Sequence, residues 1–208
     1  MELTWLGHAS FKINVTGKII YIDPYAGDYG EKADLILISH DHFDHFAQEK
    51  IKLIRNDQTK ILASRSVASQ LDGAKAMAPG EAEKDGWITI RAVAAYNTNK
   101  KFHPKGTGIG FILEAENKKL YFAGDTDVIP EMEGIECDIA LLPVSGTYVI
   151  TAREAIEAVK NVKAKIAIPM HYGKIVGTED DAQEFKELVE HQTKAQVIIL
   201  KEGRTIKL

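Results

Sequence analysis

The sequence has little or none of several features that mark whole classes of protein. Cysteine occurs once among 208 residues, at Cys137, so no internal disulfide can form and a cytoplasmic location is favoured. No apolar run approaches the roughly 20 residues that span a bilayer, so no membrane association is expected. Residues 1–5 show neither the basic nor the apolar region of a signal peptide. The net charge of −4 implies no general surface for polyanions, which disfavours nucleic acid as a partner.

What the sequence does have is a dense group of histidines and aspartates. Residues 39–46 read Ser-His-Asp-His-Phe-Asp-His-Phe, after an apolar run at 34–38 that predicts a buried strand and before a stretch at 47–55 that suits a helix. The group therefore lies at the carboxyl end of a strand, where ligands of α/β sheets usually bind. His40 and His42 project to the same side of an extended backbone, and Asp44 and His45 can turn back toward the same space. A solvated turn is the alternative for such a loop, but it explains one histidine better than three.

Two more polar residues follow apolar strands. Asp125 lies in Gly124-Asp125-Thr126-Asp127, and His171 follows the apolar run at 165–170. Each alone is equally consistent with an ordinary strand-end residue. Together with the histidine-rich loop they supply four histidines and two carboxylates, enough for two metal ions that share a carboxylate. Imidazole and carboxylate ligands predict one or two divalent ions, zinc first, with manganese or iron as alternatives.

Two residues near the first strands are candidates for supporting roles. Asp23 follows the third strand, and we expect it either to cap the next loop or to hydrogen-bond a metal-ligating histidine, the second use being favoured. His8 follows a glycine at the end of the first strand. It is predicted either to lie near a pocket or to be an ordinary turn histidine.

The order of elements predicts an α/β fold. Strands are joined by hairpins at first and alternate with helices later, so two mixed sheets packed face to face with helices outside would bury them. Thr151 with Glu154, and Thr178, mark the starts of two helices. Residues 80–86 read as a charged turn, and 195–200 with 205–208 as a closing hairpin. No linker or repeat is evident, so one domain over residues 1–208 is expected.

These motifs resemble the metallo-β-lactamase superfamily of hydrolases. The resemblance rests on Asp23, the run 39–45, Gly124-Asp125-Thr126 and Pro169-Met170-His171, which occur in the family's order over most of the chain. The opening Gly7-His8-Ala9-Ser10-Phe11 is most similar to the branch that contains L-ascorbate-6-phosphate lactonase. The resemblance implies a four-layer αββα sandwich with a metal site along one edge.

The resemblance also implies a role for each motif residue. A first metal ion would be bound by His40 and His42. A second ion would be bound by Asp44, His45 and His171, with Asp125 as the bridge. A hydroxide held there would be the nucleophile, because metal ions lower the pKa of water from about 15.7 toward about 7. Asp44 would orient it or shuttle its proton.

One position departs from the family's pattern. Asn97 stands at the end of the strand before the central hairpin, where the family normally has another histidine ligand. A neutral amide oxygen is a poor zinc ligand. Three alternatives follow: the first site is weak or empty, Asn97 coordinates a harder ion, or His103, six residues further on, folds back to fill the place.

The leading functional hypothesis is a metal-dependent hydrolase that cleaves a small ester, lactone or phosphodiester in a neutral or anionic small molecule. A nuclease acting on RNA or DNA is the second hypothesis, although 208 residues leave little room for a nucleic-acid-binding arm. A third is a non-catalytic metal- or partner-binding relative, supported only by Asn97. Self-association into a homo-oligomer is left open.

Several residues outside the metal ligands are candidates for the pocket. Tyr148 and Tyr172 lie on loops and would either hydrogen-bond a substrate oxygen or pack at the edge of the core. Lys100, Lys101 and Lys105 surround His103 and would either attract an anionic substrate or form a solvated loop.

Overall fold

The two expected mixed sheets are present in the computed structural model, which describes residues 1–208. Both sheets have seven strands. The first has the order β14-β1-β2-β3-β4-β5-β6, with the bounds β1 Glu2–Gly7, β2 Ser10–Val15, β3 Lys18–Ile22, β4 Leu35–Ile38, β5 Lys60–Ala63, β6 Ala74–Ala76 and β14 Thr205–Lys207. The second has the order β13-β12-β11-β10-β9-β8-β7, with the bounds β7 Ala82–Asp85, β8 Ile88–Ala95, β9 Gly108–Ala115, β10 Lys118–Phe122, β11 Ile139–Pro143, β12 Ile166–Met170 and β13 Gln196–Val197.

Each sheet is antiparallel in one half and parallel in the other. In the first sheet β14, β1, β2 and β3 are antiparallel neighbours, and β3 to β6 run parallel. In the second, β7 to β10 are antiparallel neighbours, and β10 to β13 run parallel. The parallel halves bring the carboxyl ends of several strands to one edge of each sheet, which is where the predicted polar residues follow their strands.

The alternation of side chains along β4 shows why the layers form. All four of its residues are buried. Leu35 and Leu37 belong to the large core of 53 buried residues that includes residues of both sheets, whereas Ile36 and Ile38 belong to a smaller core with residues of the first two helices. Successive side chains of a strand point to opposite faces, so a continuous apolar run fits a sheet that is covered on both sides.

Helices cover the outer face of each sheet. The first two are α1 Gln48–Ile54 and α2 Arg65–Ala68, and the last two are α3 Ala152–Asn161 and α4 Glu179–Gln192. A short 3₁₀ turn spans Pro130–Met132. The predicted capping box is confirmed, because the Glu154 amide donates to Thr151 Oγ1 at 3.2 Å and the Thr151 amide donates to Glu154 Oε2 at 2.8 Å. No helix is both long and apolar enough to cross a membrane.

Two sequence-based predictions of local structure are wrong. The stretch 80–86 is not only a turn, since it contains β7, an edge strand whose alternating charges obscure it. The closing hairpin does not form either. β13 extends the second sheet beside β12, whereas β14 pairs with β1 in the first sheet. Each segment satisfies its backbone groups at an existing sheet edge, so the chain crosses from one sheet to the other between them.

Candidate metal centre

The polar residues of the sequence motifs converge on one edge of the sandwich. The carboxyl ends of the central strands of both sheets meet there, and each is followed by at least one of these residues. They are His8 after β1, Asp23 after β3, His40 to His45 after β4, Asn97 and His103 after β8, Asp125 after β10 and His171 after β12. Ser145, which follows β11 and was not among the predicted residues, joins them. Six of the seven histidines of the chain lie in this group.

His40 is held by a relay that ends on a buried carboxylate. Its Nδ1 donates to Ser39 Oγ at 3.0 Å, and Ser39 Oγ donates in turn to Asp23 Oδ2 at 2.6 Å. This chain of hydrogen bonds places the proton of the neutral ring on Nδ1. The other ring nitrogen, Nε2, is buried and has no hydrogen-bond partner.

Asp23 also holds His45, as the favoured prediction for this residue requires. His45 Nδ1 donates to Asp23 Oδ2 at 2.7 Å, and the Ser39 amide donates to Asp23 Oδ1 at 2.7 Å. Both carboxylate oxygens of Asp23 are therefore occupied by protein donors. Asp23 orients histidines from behind and does not face the centre itself.

His103 folds back to the place beside His40 and His42. Its Nε2 lies 3.2 Å from His42 Nδ1, and its ring centroid lies 5.0 Å from that of His40. Asn97 does not point to the centre. Its Oδ1 accepts from the His103 amide at 3.0 Å and from His103 Nδ1 at 3.1 Å, and its Nδ2 donates to Tyr148 O at 3.0 Å. Asn97 thus fixes His103 with Nε2 turned inward.

Asp125 lies between the two halves of the group. Its Oδ2 is 3.0 Å from His171 Nε2 and 3.3 Å from His103 Nε2, and its Oδ1 is 3.4 Å from His45 Nε2. The preceding Gly124 has φ +66°, and a Cβ there would come within 2.9 Å of Ile109 O, so only glycine fits the turn that delivers this carboxylate.

His8 holds the remaining carboxylate, Asp44. His8 Nε2 donates to Asp44 Oδ2 at 2.9 Å, and that oxygen lies 3.8 Å from His45 Nε2. The backbone oxygen of His8 accepts from the His171 amide at 2.9 Å, which ties the first sheet to the second at the site. Ser145 completes the pattern, since its Oγ lies 3.0 Å from His171 Nδ1.

Three of the seven non-glycine residues with positive φ lie at the same edge. His8, Asp23 and His171 have φ of 51°, 44° and 61°. Such left-handed conformations cost about 1–3 kcal/mol for a residue with a side chain and persist only where surrounding contacts enforce them. Three strained residues in one group of polar side chains indicate a functional site.

The nitrogen and oxygen atoms form two compact groups that could each hold a metal ion. Within each group the candidate ligand atoms all lie within 4.8 Å of one another. One group is His40, His42 and His103, and the other is His8, Asp44, His45 and His171. A third set of close atoms, from Asp23, His40 and His45, is not a ligand set, because both Asp23 oxygens already accept from protein donors. Nitrogens around one zinc ion are about 3.3 Å apart, so modest adjustment suffices. Buried atoms without a partner include His40 Nε2, His45 Nε2, His171 Nε2 and Asp125 Oδ1. Such atoms are costly unless a bound group satisfies them, so the residues fit a metal centre.

The electrostatics of the site favour a cation. Burial, reinforced by His45, lowers the pKa of His40 well below its usual range, which keeps the ring neutral. Burial raises the pKa of Asp125, but the adjacent His171 and His45 outweigh it and hold that pKa well below its usual range. For Asp44 burial again opposes ionisation, and the His8 hydrogen bond and His45 bring the pKa to about 2. A neutral His40 beside ionised Asp125 and Asp44 matches the protonation states that metal binding requires. Burial lowers the pKa of His45, but Asp125 and Asp23 outweigh it and raise that pKa well above its usual range, so a metal ion bound there would displace a proton.

Asp127 and Ser145 are supporting residues to which sequence reasoning gave no role. Asp127 is buried and accepts from the Thr98 amide at 2.8 Å and from Lys100 Nζ at 2.6 Å. It thereby anchors the loop that carries His103. Its position in the same strand-end motif as Asp125 was the available signal, but only the folded chain shows which backbone groups it meets.

The two candidate tyrosines behave differently. Tyr148 lines a cavity of about 440 Å³ that opens beside His42, His103 and Asp125. Tyr172 does not line this cavity, and the structure shows the other alternative for this residue, which is packing against the core. Its ring is buried in the large core and stacks on Trp5 with 4.9 Å between centroids, because the strand-end turn at His171 directs it back between the sheets.

Comparison with known proteins agrees with this geometry. The family described as "Beta-lactamase superfamily domain" matches residues 2–171. The chain is 34% identical to a UPF0173 metal-dependent hydrolase of Thermococcus onnurineus over 100% of both chains, and 34% identical to one of Hyperthermus butylicus over 96% of each.

Solved structures are similar over nearly the whole chain. A Parabacteroides distasonis protein described as a metal-dependent hydrolase has a TM-score of 0.89 at 32% identity, covering 97% of this chain and 93% of that one. Igni18, a metallo hydrolase of Ignicoccus hospitalis, has a TM-score of 0.83 at 27% identity, covering 99% and 97%. The predicted αββα fold and superfamily are thus confirmed, whereas the ascorbate lactonase branch stays a prediction. This chain belongs to the metallo-β-lactamase superfamily, among its UPF0173 metal-dependent hydrolases.

Proposed function

We propose that this metal-dependent hydrolase uses two divalent ions to cleave an ester, lactone or phosphodiester bond in a small molecule. One observation carries the proposal. His40, His45, His103 and His171 each have Nδ1 engaged by a protein group and Nε2 turned toward the centre, where Asp125 lies between them. Metal-binding histidines almost always use one ring nitrogen for the metal and donate the other N–H to the protein.

We propose a separate ligand set for each ion. The first ion would be held by His40, His42 and His103, and the second by Asp44, His45 and His171, with Asp125 reaching both. Nitrogen-rich sets of this kind suit zinc first and manganese or iron next. Asn97 takes no part as a ligand and supports His103 instead.

Asp44 and His8 would act on the water that attacks the substrate. Bound divalent ions supply a water of lowered pKa and polarise the scissile carbonyl or phosphoryl oxygen. Asp44 lines the cavity, and its low pKa keeps it ionised, so it can accept a hydrogen bond from the attacking water and orient it. His8 fixes the orientation of Asp44 through its Nε2 hydrogen bond.

Metal counting with matched variants tests the proposal. Plasma mass spectrometry of protein loaded with Zn²⁺ or Mn²⁺ is expected to give two ions per chain for the wild type and about one for His103→Ala or His171→Ala. His191→Ala is the control, because this exposed histidine on α4 lies outside the site. Hydrolysis of small esters should fall by at least a hundredfold in His40→Ala. Absence of bound transition metal, together with unchanged hydrolysis in His40→Ala, would contradict the proposal.

A further inference from the structure

The exposed apolar side chains of this protein are gathered at one place. Only four large hydrophobic residues are well exposed in the whole chain, and three of them, Phe43, Phe102 and Ile175, line the cavity beside the metal centre. Phe43 is 68% exposed and Phe102 is 50% exposed. Tyr148 joins this wall, with its ring 4.6 Å from that of Phe102. A concentration of exposed apolar surface on an otherwise polar exterior marks a binding site.

No cationic side chain lines the same cavity. Its charged lining consists of three carboxylates, from Asp41, Asp44 and Asp125. The lysines on the nearby loops are turned to other partners: Lys100 pairs with Asp127 at 2.6 Å, Lys105 with Glu131 at 2.7 Å and Lys174 with Glu202 at 3.0 Å. Lys101 is exposed and does not reach the cavity wall.

The apolar wall of the cavity is formed by residues next to the metal-facing side chains. Phe43 lies between His42 and Asp44 in sequence, and Phe102 immediately precedes His103. Two aromatic rings are therefore attached to two of the loops that carry the metal-facing groups, and both rings line the cavity. A substrate whose reacting oxygen lies at the centre must place its adjoining group against these rings. Any charge on that group would meet apolar surface and carboxylates, without a basic partner.

We propose that the cavity selects an uncharged carboxylic ester or lactone in which a phenyl-sized apolar group adjoins the scissile bond. This inference rests on the proposed hydrolytic function and narrows its substrate class. It disfavours the phosphodiesters and anionic substrates that the sequence left open, since no lysine or arginine is placed to bind a phosphate beyond the metal centre. Phe43, Phe102, Tyr148 and Ile175 are the specificity-determining residues.

Hydrolysis of matched esters tests the selection directly. Methyl acetate, methyl phenylacetate, benzyl acetate and monomethyl succinate are compared on the metal-loaded protein by pH-stat titration. Methyl phenylacetate or benzyl acetate should show at least tenfold higher kcat/KM than methyl acetate, since apolar pockets discriminate by about this factor. Monomethyl succinate should show no gain. Equal values for all four esters, or a preference for monomethyl succinate, would overturn the inference and leave the hydrolytic function intact.

Binding of hydroxamates tests the preference for an apolar group without requiring hydrolysis. Hydroxamates chelate metal ions through two oxygens, so benzohydroxamate and acetohydroxamate differ only in the group presented to the wall. Calorimetry should give at least tenfold tighter binding of benzohydroxamate. If no ester is hydrolysed but this preference is present, the apolar selection stands and the proposed hydrolysis fails. Equal affinities would refute the selection.

Side-chain variants locate the preference. Phe43→Ala and Phe102→Ala should each lower the ratio of benzohydroxamate to acetohydroxamate affinity at least threefold. Leu53→Ala is the matched control, because Leu53 is 60% exposed on α1 and lies outside the cavity lining. Analytical sedimentation of the same variants measures their oligomeric state, and so tests whether a second copy of the chain covers the apolar wall. A wild-type dimer that dissociates in Phe43→Ala would assign the patch to self-association and overturn the inference.

Discussion

Removing the Asn97 side chain should weaken the first metal site without removing any ligand. Asn97 Oδ1 accepts from both the amide and Nδ1 of His103, so it sets the position and the tautomer of that ring. Loss of such a supporting hydrogen bond typically lowers metal affinity 10–100-fold. Asn97→Ala should therefore raise the Kd of the weaker-bound ion by about that factor, equivalent to about 1.4–2.7 kcal/mol.

The assay is competitive titration of Zn²⁺ or Mn²⁺ against a chelating dye. Asn99→Ala is the control, since Asn99 is exposed on the same loop and its side chain makes no hydrogen bond. A double-mutant cycle sharpens the result. If Asn97 acts through His103, then Asn97→Ala should add less than about twofold to the Kd of His103→Ala, because both changes remove the same interaction.

Asn97→Asp distinguishes support from direct ligation. An aspartate would be a stronger metal ligand than the amide, so affinity should rise if position 97 coordinates the ion. In the observed geometry the change instead replaces the Nδ2 donor, which lies 3.2 Å from Asp127 Oδ1, with a second carboxylate. The two charges would repel, and the loop should bind metal more weakly. A gain in affinity for Asn97→Asp, or strict additivity in the cycle, would refute this account of the site.

Three further predictions concern the loop anchor, the thiol and the core. Asp127→Ala should increase hydrogen exchange in residues 97–103 and weaken one of two metal equivalents, because its carboxylate accepts from that loop; unchanged exchange would contradict this. Burial raises the pKa of Cys137 to about 12, so the folded protein should stay unlabelled by a thiol reagent at pH 8 and react fully once unfolded. Phe111→Ala should cost about 3–5 kcal/mol in one cooperative denaturant transition, whereas Phe43→Ala at the surface should cost under about 0.5 kcal/mol.

Much of the fold was readable because its signals are local. The apolar run of β4 predicted a strand buried on both faces, and Thr151 with Glu154 predicted the start of α3. The two failures at edge strands have a different origin. β7 pairs with β8, the next strand along the chain, but its residues Ala-Glu-Lys-Asp carry no apolar pattern that marks a strand. The terminal strands were predicted as strands, but their partners were not, because β14 pairs with β1 at the other end of the chain and β13 pairs with β12. Pairing of this kind depends on which sheet edges remain open after the rest has folded.

The same distinction applies to the site. Histidines and carboxylates that directly follow an apolar strand could be placed from the sequence, since the strand fixes where its end lies. His103 could be named only as one of three alternatives, because it lies in a loop whose path depends on Asp127, 24 residues further along the chain. The cavity wall was not foreseen either. Phe43 and Phe102 have no sequence pattern that sets them apart from core aromatics, and only their exposure beside the centre reveals them.

The presence of Asn97 where the family normally has a histidine has a physical explanation. A histidine at the strand end would need a group behind it to hold its ring, as Asp23 holds His45 and Ser145 contacts His171. In the proposed site the ligand position lies six residues further along the loop, at His103, and the strand-end Asn97 holds that ring. Asparagine suits that task because its Oδ1 accepts from the His103 ring while its Nδ2 donates to Asp127 and Tyr148 O. The residue that made the first site doubtful in sequence is therefore the residue that positions its third histidine.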